Sequence, residues 1–484
     1  MKLLDQTARW HEGDARITNA ALCLLGLMLV LLAHQFVSEI DHFTIGFSYV
    51  SLLSVFAYVG AVLIVRTQPV NRSTLGIVIG FAVAMHAMTY FTDPYLSSDI
   101  YRYVWDGIAQ HAHISPYRYV PGNPILTFLR APNQEIFDNI NRRDYARTIY
   151  PPIAQMLYWL AVFFSPTVAA MKLMMIGFEC MAAWALVAFL RWLGRPAAEV
   201  LLFLWCPLLV WAIGCAGHVD AIVCGFMALA LLCRLRNKPL LTGLFLGCAV
   251  MTKFYPLLLV PALYQRREWK MPAMIVAVCA FGYACYASVG MLVFGFLGGY
   301  SKEEGIDSGS RFFLLDYAHT LPGMANLPKW TFMVLCAVVL GGLALWAWRH
   351  ASVEMVPHAG LYPLPAPAFV RLAALLAFAM MLLFSPHYDW YLLWLVPLMT
   401  LAPSLPLFTY VLGFFYGYTT GLASPGPKMF LLNERIYLAV AIALVLHVVL
   451  KRWPLWTMLL SKRRITSDPT GETLAAGSAV EAYR

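Results

Sequence analysis

Residues 97–119 read SSDIYRYVWDGIAQHAHISPYRY, and they put two aspartates, two arginines and four tyrosines into a chain that is otherwise almost continuously apolar. Read as a helix beginning at Ser97 or Ser98, the stretch places Asp99, Arg102, Tyr103, Asp106 and Gln110 on one face. Tyr101, Trp105 and Ile108 fall on the other. Two kinds of chemistry are open to the polar face. Arg102 between two aspartates makes an ion-pair ladder worth about 0.3–0.5 kcal/mol per pair. A carboxylate held at the mouth of a lipid-bounded cavity is instead partly desolvated, which raises its basicity and suits it to general-base work.

Downstream, SPYRYVPGNP and NRRDYARTIYPP are turn-rich, and their prolines stiffen the segment. Arg118, Arg142, Arg143 and Arg147 either meet anionic headgroups or clamp a single phosphate. Tyr117 and Tyr150, with Tyr103, are candidates for substrate contact. Three further polar islands sit at the ends of apolar segments: His218 and Asp220 in CAGHVDA, Lys253 in TKFYP, and His387 and Asp389 in FSPHYDWY. A charge at the centre of a span costs about 2.5–3.5 kcal/mol. At segment ends such residues serve as caps or snorkel, but four separated segments bringing charge to one side suit a substrate with a polyhydroxyl part and an anionic leaving group.

These groups must be positioned by a membrane scaffold. The 484 residues are 61% hydrophobic and only 12% charged, with mean hydropathy +0.68, outside the range of a soluble domain. The fold class expected is all-α: a polytopic integral membrane protein with about 13 or 14 helical passes. Candidate segments are 17–37, 46–66, 74–92, 168–193, 198–214, 218–236, 239–265, 271–297, 329–349, 369–384, 388–402, 406–421 and 434–450. The formal charge of +9 sits in short clusters beside apolar runs, where it orients helices, and this argues against a nucleic-acid partner. The first run reads as a retained helix, since no small-residue cleavage site follows it. All ten cysteines lie within apolar runs and none forms a CxxC pair, so they read as packing residues.

Lysine and arginine set the orientation. The clusters Arg66/Arg72, Arg191/Arg195, Arg234/Arg236/Lys238, Arg266/Arg267/Lys270, Arg349/Arg371 and Lys451/Arg452/Lys462/Arg463/Arg464 are expected inside, with both termini. This holds if 239–265 turns at Lys253 as a hairpin and if YPPIAQMLYWLAVFFSP is an interfacial or re-entrant helix. Residues 93–150, 298–328 and 422–433 then form extracytoplasmic loops, the first carrying amphipathic surface helices that turn Trp105 to lipid. Residues 1–460 read as a single membrane domain, with interfacial helices over 93–167, and 461–484 as a disordered cytoplasmic tail.

The motifs SDIYRYVWDG, SPYRY and TIYPPIAQ, then GHVDA and PLLTGLFLGCAVMTKFYPLLLVPAL, then SPHYDWYLLWLVPL, occur in that order from about residue 93 to about 400. Together they resemble the polyprenyl-phosphate-sugar-dependent glycosyltransferases of the C-type membrane fold, and within them family 87, the mannosyltransferase-like proteins. The resemblance implies inverting transfer of a hexose, mannose by analogy, from a polyprenyl-phosphate donor to a hydroxyl of a glycolipid or glycan acceptor. It makes Asp99 the motif aspartate and general base, with Asp106 its neighbour. Lys253 and His387 fall in motifs near the donor phosphate, where Arg102, Arg118 and Arg147 would add charge, and His218, Asp220 and Asp389 fall in substrate-side elements. No cofactor is expected, and His218 with Asp220 is too sparse to name a metal site. The chain departs from the pattern at Ser98, where relatives often carry a second acid, and at HISPY, where they carry Gly-x-Asn-Pro-Tyr. A transporter or lipid flippase is the alternative; it calls for ionisable groups at mid-depth, whereas here most cluster at one face.

Overall fold

A computed structural model describes residues 15–39, 45–95, 97–351, 365–419 and 427–452. The expected cytoplasmic tail, with Lys462, Arg463 and Arg464, lies outside the described residues. Within them the chain is helical, with no strand. The principal helices are α1 (Arg16–Glu39), α2 (Ile45–Thr67), α3 (Arg72–Tyr90), α4 (Asp99–His111), α5 (Pro152–Phe164), α6 (Val168–Trp192), α7 (Asp220–Leu235), α8 (Pro239–Val250), α9 (Lys270–Cys285), α10 (Leu297–Glu303), α11 (Lys329–His350), α12 (Ala368–Phe384), α13 (Leu395–Leu401), α14 (Leu405–Thr419) and α15 (Pro427–Arg452).

Local chemistry sets many of their starts. Asn71 and Thr74 form a reciprocal capping box at the head of α3, the Thr167 hydroxyl accepts from Ala170 N–H at the head of α6, and α5 and α8 begin on Pro152 and Pro239. Six described helices, α1, α2, α3, α6, α11 and α15, are long and apolar enough to cross a membrane alone. Two further helix pairs are apolar enough only when taken together, and both are sharply bent, Ala197–Leu204 with Pro207–Cys215 at 58° and Lys270–Cys285 with Ala287–Glu303 at 111°. The expected 13 or 14 passes are therefore not carried by that many long helices. Pro207 and Pro256 remove backbone donors and break runs that look continuous in hydropathy.

The α7 helix is the buried centre, packed between α6 and α8. Outer helices expose apolar side chains, Val334 and Val338 on α11 and Leu438 and Ile442 on α15, as a lipid solvent requires. Three buried ionisable groups tie the bundle together. His86 Nε2 of α3 lies 2.8 Å from Glu179 Oε2 of α6. The Lys172 ammonium donates to the carbonyls of Tyr90 (3.2 Å) and Thr92 (2.6 Å), neutralising the C-terminal end of α3.

The α4 helix does not lie with one face on lipid. Residues Ile100 to Ala109 are all buried, and Trp105, expected to face the bilayer, packs on Phe137 of the short helix Gln134–Asp138, with ring centroids 5.4 Å apart. On the other side α4 packs closely on α5. Gly107 makes this possible, because a Cβ there would sit 2.7 Å from the Tyr158 carbonyl. Lys253 sits in the turn between α8 and Tyr255–Leu259, at the tip of the expected hairpin.

Candidate active site

Asp99 is the first residue of α4, so its carboxylate stands at the positive end of the helix. Asn141 Nδ2 donates to Oδ1 at 2.8 Å, the Tyr150 hydroxyl donates to Oδ2 at 3.1 Å, and His218 Nε2 lies 3.4 Å from Oδ2. Behind His218, its Nδ1 is 2.5 Å from Asp220 Oδ2, and the Lys253 ammonium reaches the same oxygen at 2.5 Å. The Tyr255 hydroxyl donates to Asp220 Oδ1. Asp99 and Lys253 are partly exposed, at 20% and 14% of their side chains, against 1% for His218 and none for Asp220.

The local sequence explains how these groups meet. Pro207 breaks the preceding helix, a π-helical turn over Val210–Cys215 follows, and Gly217 adopts φ +61°, a conformation that disfavours a side chain. A Cβ on Gly217 would lie 2.3 Å from Ile100 Cδ1, so glycine both permits the turn and lets α4 approach His218.

Burial pushes the Asp99 carboxyl up, but the His218 imidazole, the Asn141 hydrogen bond and the charge of Lys253 outweigh it and hold the group below the usual carboxylate range. This reverses the expectation that desolvation would raise its basicity. Asp99 is a ready proton acceptor at neutral pH, but a weak one on its own.

Asp99 opens into a cavity of about 220 Å³ whose wall also contains Arg102, Arg142, Arg147, Tyr150 and Lys253. Arg102 donates from Nε to Asp106 Oδ1 at 2.7 Å and from Nη1 to the Ala146 carbonyl at 3.0 Å. Its Nη2 has no partner among the described residues. The opposite wall is aromatic: Tyr300, Tyr388, Trp390, Tyr391 and Tyr418. Trp390 stacks between His218 and Tyr388, at centroid distances of 4.7 and 4.5 Å, and the Lys253 ammonium sits 4.9 Å over the Tyr391 ring.

Thus Asp99, Arg102, Arg147, Tyr150 and Lys253 come together on the cavity wall, while the other expected site residues do not reach it. Asp106 is fully engaged, with Arg102 on one oxygen and Gln155 Nε2 on the other at 2.8 Å, so it anchors α4 to α5. Tyr103 is buried against Tyr158, stacked at 4.7 Å, and the Tyr117 hydroxyl supports the Tyr150 carbonyl at 2.7 Å. Arg118 is exposed and away from the cavity. His387 lies in a separate cluster, 4.0 Å from Glu304, which Arg311 already pairs. Burial and the Arg311 charge push its imidazole down to about 4, which favours the uncharged ring at neutral pH. Asp389 is buried behind the aromatic wall, neither carboxylate oxygen having a hydrogen-bond partner among the described residues.

Sequence reasoning missed Asn141, which holds the Asp99 carboxylate, and the aromatic wall. The wall had a signal in the density of rings in HYDWY; Asn141 had none, because only the fold returns that loop to α4.

A family model described as Alpha-(1->6)-mannopyranosyltransferase, N-terminal domain, matches residues 4–266, and one described as Glycosyltransferase family 87 matches residues 148–386. No curated protein and no solved structure matches the chain significantly. The first match takes in Asp99, Arg102, Arg147, His218 and Lys253 together. Spanning more than half of a multi-pass membrane chain and containing its charged cavity wall, that match places the protein in the alpha-(1->6)-mannopyranosyltransferase family, and so among the glycosyltransferases.

Proposed function

We propose that the protein transfers mannose, with inversion, from a polyprenyl-phosphate-linked donor to a hydroxyl of a glycolipid or glycan acceptor on the extracytoplasmic side of the membrane, with Asp99 as general base. The observation that carries this reading is the cavity wall, where the Asp99 carboxylate shares the lining with Arg102 and Arg147. A displacement at an anomeric carbon needs a proton acceptor on the attacking side and positive charge on the departing side. Asp99 supplies the first. Arg102 and Arg147 supply the second as charge gathers on the phosphate, in a site where little water screens them.

The aromatic wall suits the apolar faces of a sugar ring, which stack on rings such as Trp390 while the hydroxyls point elsewhere. The mannosyl unit and an α-(1→6) linkage are supported by the name of the matched family. The lipid-phosphate donor rests on the motif resemblance.

The test is transfer from labelled polyprenyl-phosphate mannose by the purified protein in liposomes, with the product linkage determined. Asp99→Asn should lower kcat on the order of 10²–10⁴-fold with donor KM little changed. Near-normal turnover by Asp99→Asn removes Asp99 as the base. Turnover only with nucleotide sugars removes the lipid donor.

A further inference from the structure

We propose that His218 and Asp220 extend Asp99 into a proton relay, in which the proton taken from the acceptor hydroxyl passes from Asp99 to His218 Nε2 and is held there between two carboxylates. This rests on the reading of Asp99 as general base.

The geometry fixes the direction of the relay. Asp220 receives the Lys253 ammonium and the Tyr255 hydroxyl, so it is an ionised acceptor. Its remaining contact, 2.5 Å from His218 Nδ1, therefore takes that nitrogen's proton. The ring nitrogen left to face Asp99 is Nε2, at 3.4 Å, and it has no other partner among the described residues. A bare Nε2 is a proton acceptor aimed at the one carboxylate that reaches the cavity. A protonated Nε2 is an imidazolium flanked by two anions. Both states are accommodated, and the proton moves between them without any side chain leaving its place.

The balance is simple. The acceptor O–H bond breaks as its oxygen bonds the anomeric carbon, and the bond from that carbon to the phosphate oxygen breaks with its electron pair going to the phosphate. The proton crosses Asp99 to Nε2 and later returns through Asp99 to cavity water.

The groups facing the imidazole are Asp99 and Tyr103 from α4, Tyr150 beside Asp99, Asp220 from α7 with Lys253 and Tyr255 behind it, and Asp389, whose charge is within reach. Trp390 covers the ring face. Of these, Asp220 is the anion in direct contact with Nδ1. Its loss removes the anion that stabilises an imidazolium between Asp99 and Asp220, and the uncompensated Lys253 charge disfavours that imidazolium further.

The experiment is steady-state transfer by His218→Gln and Asp220→Asn beside Asp99→Asn, all checked for intact folding. His218→Gln should lower kcat on the order of 10²-fold with both KM values within about twofold. Asp220→Asn should move the acid limb of the kcat–pH profile to lower pH. If Asp99→Asn is inactive while His218→Gln turns over within about threefold of wild type, Asp99 works alone and the relay is overturned. If His218→Gln does not fold, the Asp220→Asn profile decides, and an unshifted limb overturns the relay. Normal turnover by Asp99→Asn instead removes the reading beneath it.

Discussion

A buried ion pair beside the cavity is tolerable because each charge answers the other. Arg102 and Asp106 pair at 2.7 Å with side chains at most 7% exposed, so removing one strands the other in a low-dielectric interior, a loss of about 3–5 kcal/mol. Asp106→Ala should therefore lower the thermal stability of the solubilised protein by about that amount, whereas Asp99→Asn should cut turnover as above with far less effect on stability. The arginines should separate equally clearly. Arg147, on the cavity wall, donates to the donor phosphate in our reading, and Arg147→Ala should raise donor KM by about tenfold, the value of one charge-assisted hydrogen bond. Arg118 is exposed and off the wall, and Arg118→Ala should leave kcat/KM within about twofold. His387 provides a pH signature. Its folded value of about 4 lies below the ordinary 6.5, so the unfolded chain takes up a proton first as pH falls. Stability is then full above pH 6.5 and declines down to about pH 4, by up to about 3 kcal/mol. His387→Gln should flatten that part of a melting-temperature profile. Asp99, lowered instead from the carboxylate range, keeps its contribution throughout this window and loses it only at more acid pH.

Elements, more than residues, decide whether these groups meet. The helical wheel of α4 correctly puts Asp99 and Arg102 together, but it shows two faces and cannot show that the loop after α4 folds back over one of them. Trp105 is buried by Phe137, 32 positions along the chain, and no local pattern carries that information. The GHVD element is a similar case: His218 and Asp220 stand out in sequence, whereas the reason they reach Asp99 is the backbone at Gly217. Gly217→Ala forces a Cβ to within 2.3 Å of Ile100 and strains a positive φ. The expected result is a kcat at least tenfold lower, with melting lowered by about 1–3 kcal/mol. Trimming the neighbour in Gly217→Ala/Ile100→Ala should restore part of the activity, because it relieves the contact but not the backbone strain. No recovery in the double variant would point to the backbone alone.

At the scale of the whole molecule, hydropathy made the polytopic helical class legible in the sequence but not the breaks within its runs. A hydropathy window counts apolar residues and is blind to the backbone, so 271–297 read as one span although its two helices meet at 111°. The charged groups stand at helix ends. Asp220 opens α7 and Arg234 closes it, Lys238 precedes α8 and Lys253 follows it, and Arg371 begins α12 while His387 lies just past its end. With 16 residues in α7, the cavity and the basic cluster Arg234/Arg236/Lys238 stand about 24 Å apart at 1.5 Å per residue. Such clusters remain on the cytoplasmic side, so the cavity should open to the other. Arg118 and Arg236, both exposed, lie at the two ends and can carry a reporter. In intact cells a membrane-impermeant thiol reagent should label Arg118→Cys at once and Arg236→Cys only after permeabilisation; the native cysteines, all within apolar runs, set the background. The reverse pattern would turn the molecule over and require the sugar donor to be presented from the cytoplasm, overturning the proposed side of transfer while leaving the chemistry at Asp99 intact.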